Sequence, residues 1–370
     1  MNSSFLYQIA LTQLNEIGSV TAKSLVAYCG SAEAVFKASK KQLQSIPNIG
    51  VVRAEAIFSS KNEALKLAEQ EIKFIEKNKL TTLFYTDKNY PKRLLQCSDS
   101  PPLLYFKGNA NLNADKIISI VGTRRITEYG KEQCEKLVAK LAVFNPLIIS
   151  GLAYGVDIAA HKAAMKNNLQ TVGVVANGMD KMYPAQHIKY IKEMVESGGV
   201  LTEYRSGRVA DKQNFPQRNR IVAGMCDALI VIETAVKGGA MITATLANSY
   251  NREVFALPGK VSDEFSAGCN YLIKSNQAIL LENVEDLVKS MLWDVDSKNK
   301  ITTKQTTLFL ELNENEKMVV DLFSKTEQMS IDDLVIESNF SPTKLAALLL
   351  EMELKGMVKA LPGKTFKIIK

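Results

Sequence analysis

The stretch that decides the fold is LIISGLAYGVDIAAHKAAMK, residues 147–166. Leu147–Ser150 is almost wholly apolar, which is typical of a strand whose two faces are both covered. A glycine-rich turn follows, and Asp157–Lys166 then carries apolar residues at helical spacing. A covered strand joined to a helix by a short turn is the repeating unit of a parallel α/β sheet, so this stretch predicts that class of fold.

The same alternation of strand and helix continues on both sides of this unit. The further predicted strands are Ile117–Val121, Thr171–Ala176, Gly199–Glu203, Ala228–Glu233 and Glu253–Leu257. The further predicted helices are Glu128–Phe144, Ala185–Glu196, Gln217–Met225 and Ala240–Ser249. A repeated βα pattern predicts a doubly wound parallel sheet, and we expect it to form one domain over residues 81–293.

Residues 1–80 predict a separate helical domain that contains an internal repeat. Ile17-Gly18 followed by Ala22 recurs thirty-two residues later as Ile49-Gly50 followed by Ala54. Each glycine is expected to open a helix, and each small alanine lets that helix pack closely on its partner. The repeat resembles tandem, SAM-like helix–hairpin–helix units, which implies phosphate binding by backbone N–H groups at a helix N-terminus. A small helical bundle with glycine-capped helices is the alternative.

Residues 294–313 predict a linker, and residues 314–370 predict a winged helix. Its three helices are expected at Glu314–Ser324, Ile331–Glu337 and Thr343–Lys355, and its two strands at Val358–Leu361 and Phe366–Ile369. The presumed recognition helix has no net charge, whereas a helix that reads DNA is usually more basic. Because of this neutral helix, we expect a protein-contact or weak DNA-contact module, with a basic wing that carries Lys359, Lys364, Lys367 and Lys370.

Composition restricts the class of protein. The chain has 370 residues, a net charge of +7, two histidines and five cysteines with no Cys-x-x-Cys pair. Scattered cysteines fit a reducing compartment and argue against a structural zinc site. No apolar run reaches the ~18 residues of a membrane-spanning helix. We therefore expect a cytoplasmic protein without a metal or a membrane segment.

A basic segment surrounds the start of the helix predicted at Gln217–Met225. Residues 205–220 hold a single acid, Asp211, against five basic residues, which are Arg205, Arg208, Lys212, Arg218 and Arg220. Within it, NFPQRNRIVAG at residues 214–224 places a phenylalanine beside two arginines. An aromatic ring beside guanidinium groups suits a polyanion that also carries flat bases. A solvated basic loop is the alternative reading.

Four loops at strand ends are suited to bind anions. A glycine after a strand lets backbone N–H groups approach a phosphate, and the dipole of the next helix adds positive charge. Parallel strands place their carboxyl ends at one edge of the sheet, so we expect these loops to form a groove that follows a phosphate backbone. The loops are Gly122-Thr123-Arg124, Gly151–Gly155, Lys212–Arg220 and Lys237-Gly238-Gly239.

Nucleotide-cofactor motifs do not fit the chain. The ATPase loop needs a glycine five residues before Gly-Lys-Ser/Thr, but Val358 stands five residues before Gly363. After the first strand, Arg124 occupies the place of the second glycine of a dinucleotide-binding Gly-x-Gly-x-x-Gly motif. We therefore expect no cofactor.

Candidates for acid–base catalysis are few. His161 follows Asp157 by four residues on one helix face, which permits either a base dyad or a half-buried, hydrogen-bonded pair that fixes the Gly151–Gly155 loop. The hydrogen-bonded pair is favoured because no nucleophile lies nearby in sequence. Glu233, at a strand end, is a further acid–base candidate without a specific partner. The sequence therefore favours a protein that is not an enzyme.

Six motifs occur in order over roughly residues 80–290, and these are IVGTRRITEYG, SGLAYGVDIAAH, GMDKMYP, NFPQRNRIVAG, IETAVKGGAMITATLA and VFALPG. The series resembles the DNA-processing protein A (DprA/Smf) family. That resemblance implies an extended Rossmann-like domain that binds single-stranded DNA without ATP. It also implies a homodimer that protects incoming DNA and loads the RecA recombinase during natural transformation.

The resemblance also implies roles for individual residues. Gly122, Thr123 and Arg124 match the family's phosphate-contacting loop, and Lys212 and Phe215 match its phosphate-binding lysine and base-contacting aromatic residue. The family's Arg-Asn-Arg element corresponds to Arg218, Asn219 and Arg220, some of which are expected to support the pocket. The remaining residues expected to bind nucleic acid are Gly151, Gly155, Lys237, Gly238 and Gly239. Asn177, Asn251 and Lys237 depart from the family's usual residues, and Lys237 would add a phosphate contact.

Two other functions stay open at the level of sequence. One is a nucleotide hydrolase of the phosphoribohydrolase type, whose glycine loop is echoed by KGGAMITATLA without the acid that should follow. The other is a general nucleoid or scaffold protein, which would rest on the hairpin repeat and the winged helix alone.

Overall fold

The computed structural model describes residues 3–293, 312–324, 326–361 and 363–369. Helices form its N-terminal part, as predicted, and they pack around one apolar core. Their bounds are α1 (Ser3–Leu11), α2 (Ser19–Cys29), α3 (Ala32–Lys37), α4 (Lys40–Gln44) and α5 (Val51–Asn78).

The internal repeat is visible in the backbone. Gly18 and Gly50 open α2 and α5, as predicted, with extended ψ angles of 175° and 176°. Two residues before each glycine, the chain is left-handed, with φ of 61° at Glu16 and 65° at Asn48. Asparagine tolerates this conformation better than most side chains, so Asn48 suits this turn.

A nine-stranded sheet forms the central part, in the order β1-β2-β6-β5-β4-β3-β7-β8-β9. Strands β3 to β9 are parallel, which confirms the doubly wound sheet. The sequence did not predict β9 at one edge of the sheet, or β1 and β2, which are antiparallel additions at the other edge. The strands are β1 (Thr81–Phe84), β2 (Leu103–Gly108), β3 (Ile117–Val121), β4 (Leu147–Ser150), β5 (Thr171–Val174), β6 (Gly199–Thr202), β7 (Ala228–Val231), β8 (Glu253–Ala256) and β9 (Ile279–Leu280).

Helices cover both faces of this sheet. Successive strand residues point to opposite faces, so Ile117 joins one apolar core and Ile118 joins the other. Helix α10 begins three residues before its predicted start, which puts Phe215 and Pro216 in its first turn, where proline is tolerated. The helices are α6 (Lys92–Leu95), α7 (Glu128–Leu141), α8 (Val156–Lys166), α9 (Ile188–Ser197), α10 (Asn214–Gly224), α11 (Gly239–Ser249), α12 (Glu264–Lys274) and α13 (Val284–Ser290).

The C-terminal part is a winged helix, as predicted, with one short strand (β10) that the sequence did not predict. Its elements are α14 (Glu314–Leu322), β10 (Gln328–Ser330), α15 (Ile331–Ser338), α16 (Pro342–Leu354), β11 (Val358–Leu361) and β12 (Thr365–Ile368). Residues 294–311 of the predicted linker lie outside the described residues, as do Pro362 and Lys370. In the described part of the chain, no helix combines the length and the apolar character that a bilayer span requires.

The lysines of the presumed recognition helix have partners inside the winged helix. Lys344 donates a hydrogen bond to Asn315 (3.1 Å), and Lys355 donates one to the carboxylate of Glu316 (2.5 Å). The outward side chains Leu350 and Leu354 are 58% and 81% exposed. Protein contact or weak DNA contact therefore remains the prediction for this module.

Candidate nucleic-acid interface

The four predicted anion-binding segments lie at the carboxyl ends of the parallel strands. Strands β3, β4, β6 and β7 run parallel within the sheet, so their carboxyl ends point the same way. Gly122 follows β3 and Gly151 follows β4, while Lys212 and Lys237 lie in the segments that follow β6 and β7. The crevice at these ends is where open α/β sheets bind their ligands.

The loops after β3 and β4 are in direct contact. The backbone N–H of Val156 donates to the carbonyl oxygen of Thr123 (3.1 Å). Gly155 has a φ of 78°, and a methyl group on it would overlap that same carbonyl. Because only glycine combines this conformation with this approach, Gly155 fixes the position of Thr123 and of the neighbouring Arg124.

Glu233 supports the Arg124 loop from beneath. Its carboxylate is 2% exposed and accepts hydrogen bonds from the backbone N–H (2.9 Å) and the hydroxyl (2.5 Å) of Thr127. The Glu233 carbonyl accepts a further bond from the N–H of Thr123 (2.7 Å). The acid–base candidate is thus occupied in holding this loop.

Arg124 and Phe215 meet at an open cleft. The guanidinium carbon of exposed Arg124 lies 4.9 Å from the centroid of the half-buried Phe215 ring. Tyr183 approaches the same ring edge-on, with 6.2 Å between the two centroids. We call this the Phe215 cleft, and its lining includes Arg124, Tyr154, Tyr183, Pro184, Phe215 and Arg218.

Arg218 lines the cleft but is only 4% exposed. Its Nη1 donates to the carbonyl oxygen of Val174 (2.6 Å), and a methyl group on Gly151 would overlap both its guanidinium and the Asp157 carboxylate. Burial raises the pKa of the Asp157 carboxyl, and the charge of Arg218 partly offsets that rise. Arg218 therefore forms a buried charged support beneath the Gly151–Gly155 loop.

Arg220 points to a different part of the molecule. Its guanidinium pairs with Glu203, donates to the carbonyl oxygen of Asp99 and lies 3.5 Å from the Ser19 hydroxyl of α2. Burial raises the pKa of the Glu203 carboxyl, and Arg220 opposes that rise. Asn219 between the two arginines is half-buried. Arg220 thus joins the sheet to the N-terminal helices.

The other expected ligands lie outside the Phe215 cleft. Lys212 and Lys237 are exposed, and among the described residues the lining of the Phe215 cleft includes neither. Gly238 caps α11, and Gly239 is its first residue. A methyl group on Gly238 would overlap the Thr234 hydroxyl, so a compact turn needs glycine there.

His161 is fully buried and helps to fix the Gly151–Gly155 loop. Its Nε2 donates to the carbonyl oxygen of Gly151 (2.6 Å), and its Nδ1 accepts from the Thr171 hydroxyl (2.6 Å). Asp157 accepts instead from the N–H of Ala153 (3.2 Å). Both side chains fix this loop, as expected, but the expected half-buried, hydrogen-bonded pair is wrong, because both are buried and each bonds to other partners.

Burial lowers the pKa of His161 from 6.5 to about 4, so it should make stability fall with acidity. Above pH 6.5 the folded and unfolded chains both keep this imidazole neutral. Below that pH only the unfolded chain takes up the proton, which costs the folded state about 2 kcal/mol between pH 7 and pH 5. We expect His161→Gln to lose this part of the pH dependence.

Urea unfolding of both proteins at pH 7 and pH 5 measures the difference. Other titrating groups act equally in the two proteins, so comparing the two pH-dependent changes isolates His161. Equal changes would contradict a buried neutral imidazole.

Two aromatic residues of the Phe215 cleft were not among the predicted binding residues. Tyr154 lies in SGLAYG and Tyr183 in GMDKMYP, two motifs that carry glycine or proline beside the aromatic residue. The signal was present, because each tyrosine sits in a loop after a predicted strand, where binding residues concentrate.

Three family models match the chain. The model described as DNA recombination-mediator protein A matches residues 81–292, more than half of the chain. The DprA winged helix domain matches residues 310–364, and a SAM-like helix-hairpin-helix tandem matches residues 9–60.

Individual proteins resemble the chain over most of its length. DNA processing protein DprA of Streptococcus pneumoniae is 34% identical over 248 residues, which is 67% of this chain and 86% of that protein. The X-ray structure of the S. pneumoniae protein has a TM-score of 0.66 at 30% identity and covers 77% of this chain and 97% of that one. DNA processing protein A of Helicobacter pylori, whose structure concerns its single-stranded DNA binding mode, gives 0.53 at 32% identity over 58% of this chain and 96% of that one.

Proposed function

The chain belongs to the DNA recombination-mediator protein A (DprA/Smf) family, and on that premise we propose that its Phe215 cleft binds single-stranded DNA. The observation that carries the proposal is the pairing of an aromatic ring with an arginine, 4.9 Å apart, in an open cleft at the ligand-binding edge of the sheet. Stacking platforms beside positive charge bind single strands with little sequence preference. The H. pylori relative, described for its single-stranded DNA binding mode, supports the same conclusion.

We propose separate roles for the residues at the carboxyl ends of the strands. A base stacks on Phe215 and displaces the Arg124 guanidinium, which then binds the adjacent phosphate as a bidentate donor. Lys212 and Lys237 bind phosphates beside the cleft, and backbone N–H groups at Gly122, Gly151, Gly155 and Gly239 add contacts. The N–H groups of Thr123 and Gly238 donate within the protein, so these two residues shape their loops. We infer that Arg218 and Arg220, whose partners lie inside the protein, hold this surface in shape. Asn219 lies between them in the helix.

We further propose that the protein is cytoplasmic, acts as a homodimer, protects incoming DNA and loads RecA during natural transformation without ATP. Family membership and the lack of an ATPase loop in the sequence support this mediator role. The edge strand β9 supports dimerisation, because it leaves Ile279 and Leu280 partly exposed. A hydrolase is disfavoured because Glu233 is engaged with Thr127.

Fluorescence anisotropy with single-stranded and duplex oligonucleotides over a salt series tests the proposed function. We expect tighter binding to single strands, with log K falling by about 0.7 per phosphate contacted for each unit of log salt. Equal affinity for duplex DNA would contradict the proposal. Nucleotide hydrolysis that disappears in Glu233→Gln, in a variant that still folds, would support the hydrolase instead.

A further inference from the structure

A second group of aromatic and basic side chains lies on helices α8 and α9. The ammonium of Lys162 on α8 is 5.1 Å from the centroid of the Tyr190 ring, and that of Lys189 on α9 is 4.8 Å from it. Two positive charges therefore share one aromatic ring at the surface. They repel each other, so an anion bound between them would relieve that repulsion. We call Lys162, Lys189 and Tyr190 the lysine–tyrosine patch.

Aromatic contacts connect the patch to the Phe215 cleft. Tyr154 lines the cleft, is 40% exposed and makes an edge contact with the His187 ring, with 5.0 Å between centroids. The His187 ring makes a second edge contact with the Tyr190 ring, with 6.4 Å between centroids. His187 is 5% exposed, and its Nδ1 donates to the carbonyl oxygen of Leu152 (2.9 Å). A fixed, buried imidazole thus holds a tyrosine of the cleft and the tyrosine of the patch in one connected row.

We propose that a single strand leaving the Phe215 cleft continues over Tyr154 and is anchored by the lysine–tyrosine patch. The inference rests on the proposed function of the cleft and extends it. Lys162 and Lys189 bind phosphates, and Tyr190, positioned by His187, offers an apolar surface to a base or sugar. The patch adds affinity only for strands long enough to reach it, and it reads the backbone without regard to sequence.

Binding of short and long oligothymidylates by Lys162→Ala/Lys189→Ala tests this path. With a strand of about 20 nucleotides, we expect affinity about tenfold weaker than wild type and a salt slope lower by about 1.4, from two lost phosphate contacts. With a strand of about 6 nucleotides, which fills the cleft alone, we expect no change. The double variant Lys162→Arg/Lys189→Arg keeps both charges and should bind the long strand like wild type.

A matched control removes the same charge elsewhere. Lys140→Ala/Lys289→Ala changes two exposed lysines in the last turns of α7 and α13, which have no part in the proposed path, and should leave both affinities unchanged. An unchanged long-strand affinity in the patch variant overturns the proposal, as does an equal loss for both lengths or an equal loss in the control. If the proposed function of the cleft is wrong, the result is distinguishable. The wild-type protein would then bind neither the short nor the long single strand more tightly than duplex DNA.

Discussion

Phe215→Ala should weaken single-stranded DNA binding by about 1–3 kcal/mol, or roughly 5- to 150-fold, because one stacked base loses its platform. The ring is half-buried and carries Arg124 on one face, so its removal should leave the fold intact while the cleft loses its aromatic surface. Anisotropy with a short oligothymidylate measures the loss, and thermal unfolding verifies the fold. The effect should be the same for short and long strands, unlike that of the lysine–tyrosine patch.

Two further variants separate stacking from simple apolar contact. Phe215→Trp keeps an aromatic face and should bind at least as well as wild type, whereas Phe215→Leu keeps apolar volume and should bind nearly as poorly as Phe215→Ala. Wild-type affinity in Phe215→Leu would contradict a stacked base. A double-mutant cycle with Arg124→Ala should be non-additive, because the two side chains touch before DNA binds.

Asp157→Ala should destabilise the fold by about 3–5 kcal/mol. The substitution leaves the Arg218 guanidinium buried without its nearby carboxylate, and an uncompensated buried charge costs this much. It also removes the acceptor for the N–H of Ala153, which loosens the Gly151–Gly155 loop. Urea unfolding at neutral pH measures the loss in free energy of unfolding.

Replacing both charged partners should restore part of that stability. Apolar residues of similar volume often substitute for a buried ion pair without loss, so Asp157→Ala/Arg218→Met should be more stable than Asp157→Ala alone. Asp157→Asn keeps the shape but not the charge and should fall between wild type and Asp157→Ala. A loss below about 1 kcal/mol in Asp157→Ala, which is within the range of exposed ion pairs, would show that Arg218 does not depend on this carboxylate.

Strands β3 to β8 were predictable because each is a short, largely apolar run followed by a segment that contains a glycine. The remaining parallel strand, β9, was not, since Ile279–Leu280 is only two residues long. The edge strands β1 and β2 were not either, since their antiparallel pairing lies outside the alternation of strand and helix. Their position depends on β2 pairing with β6, a contact between distant parts of the chain that no local pattern records.

The residues of the candidate site were predictable from the sequence, but their burial was not. Phe215 and Arg218 lie three residues apart on one helix, and the sequence gives both as parts of a basic, aromatic segment. Only the fold shows that Arg218 is buried under Gly151, where the absence of a side chain makes room for a guanidinium. The partners of Arg220 are equally remote in sequence, because Glu203, Asp99 and Ser19 come from three separate segments.

The attachment of α10 at Arg218 and Arg220 has a consequence for genetics. The helix that carries Phe215 belongs to the same folding unit as the core, so weakening either arginine lowers the amount of folded protein. In a cell, a loss of about 1–2 kcal/mol changes protein abundance several-fold. An allele altered at Arg218 or Arg220 would therefore produce the phenotype of a DNA-binding defect through a shortage of protein, and its phenotype is interpretable only beside its expression level.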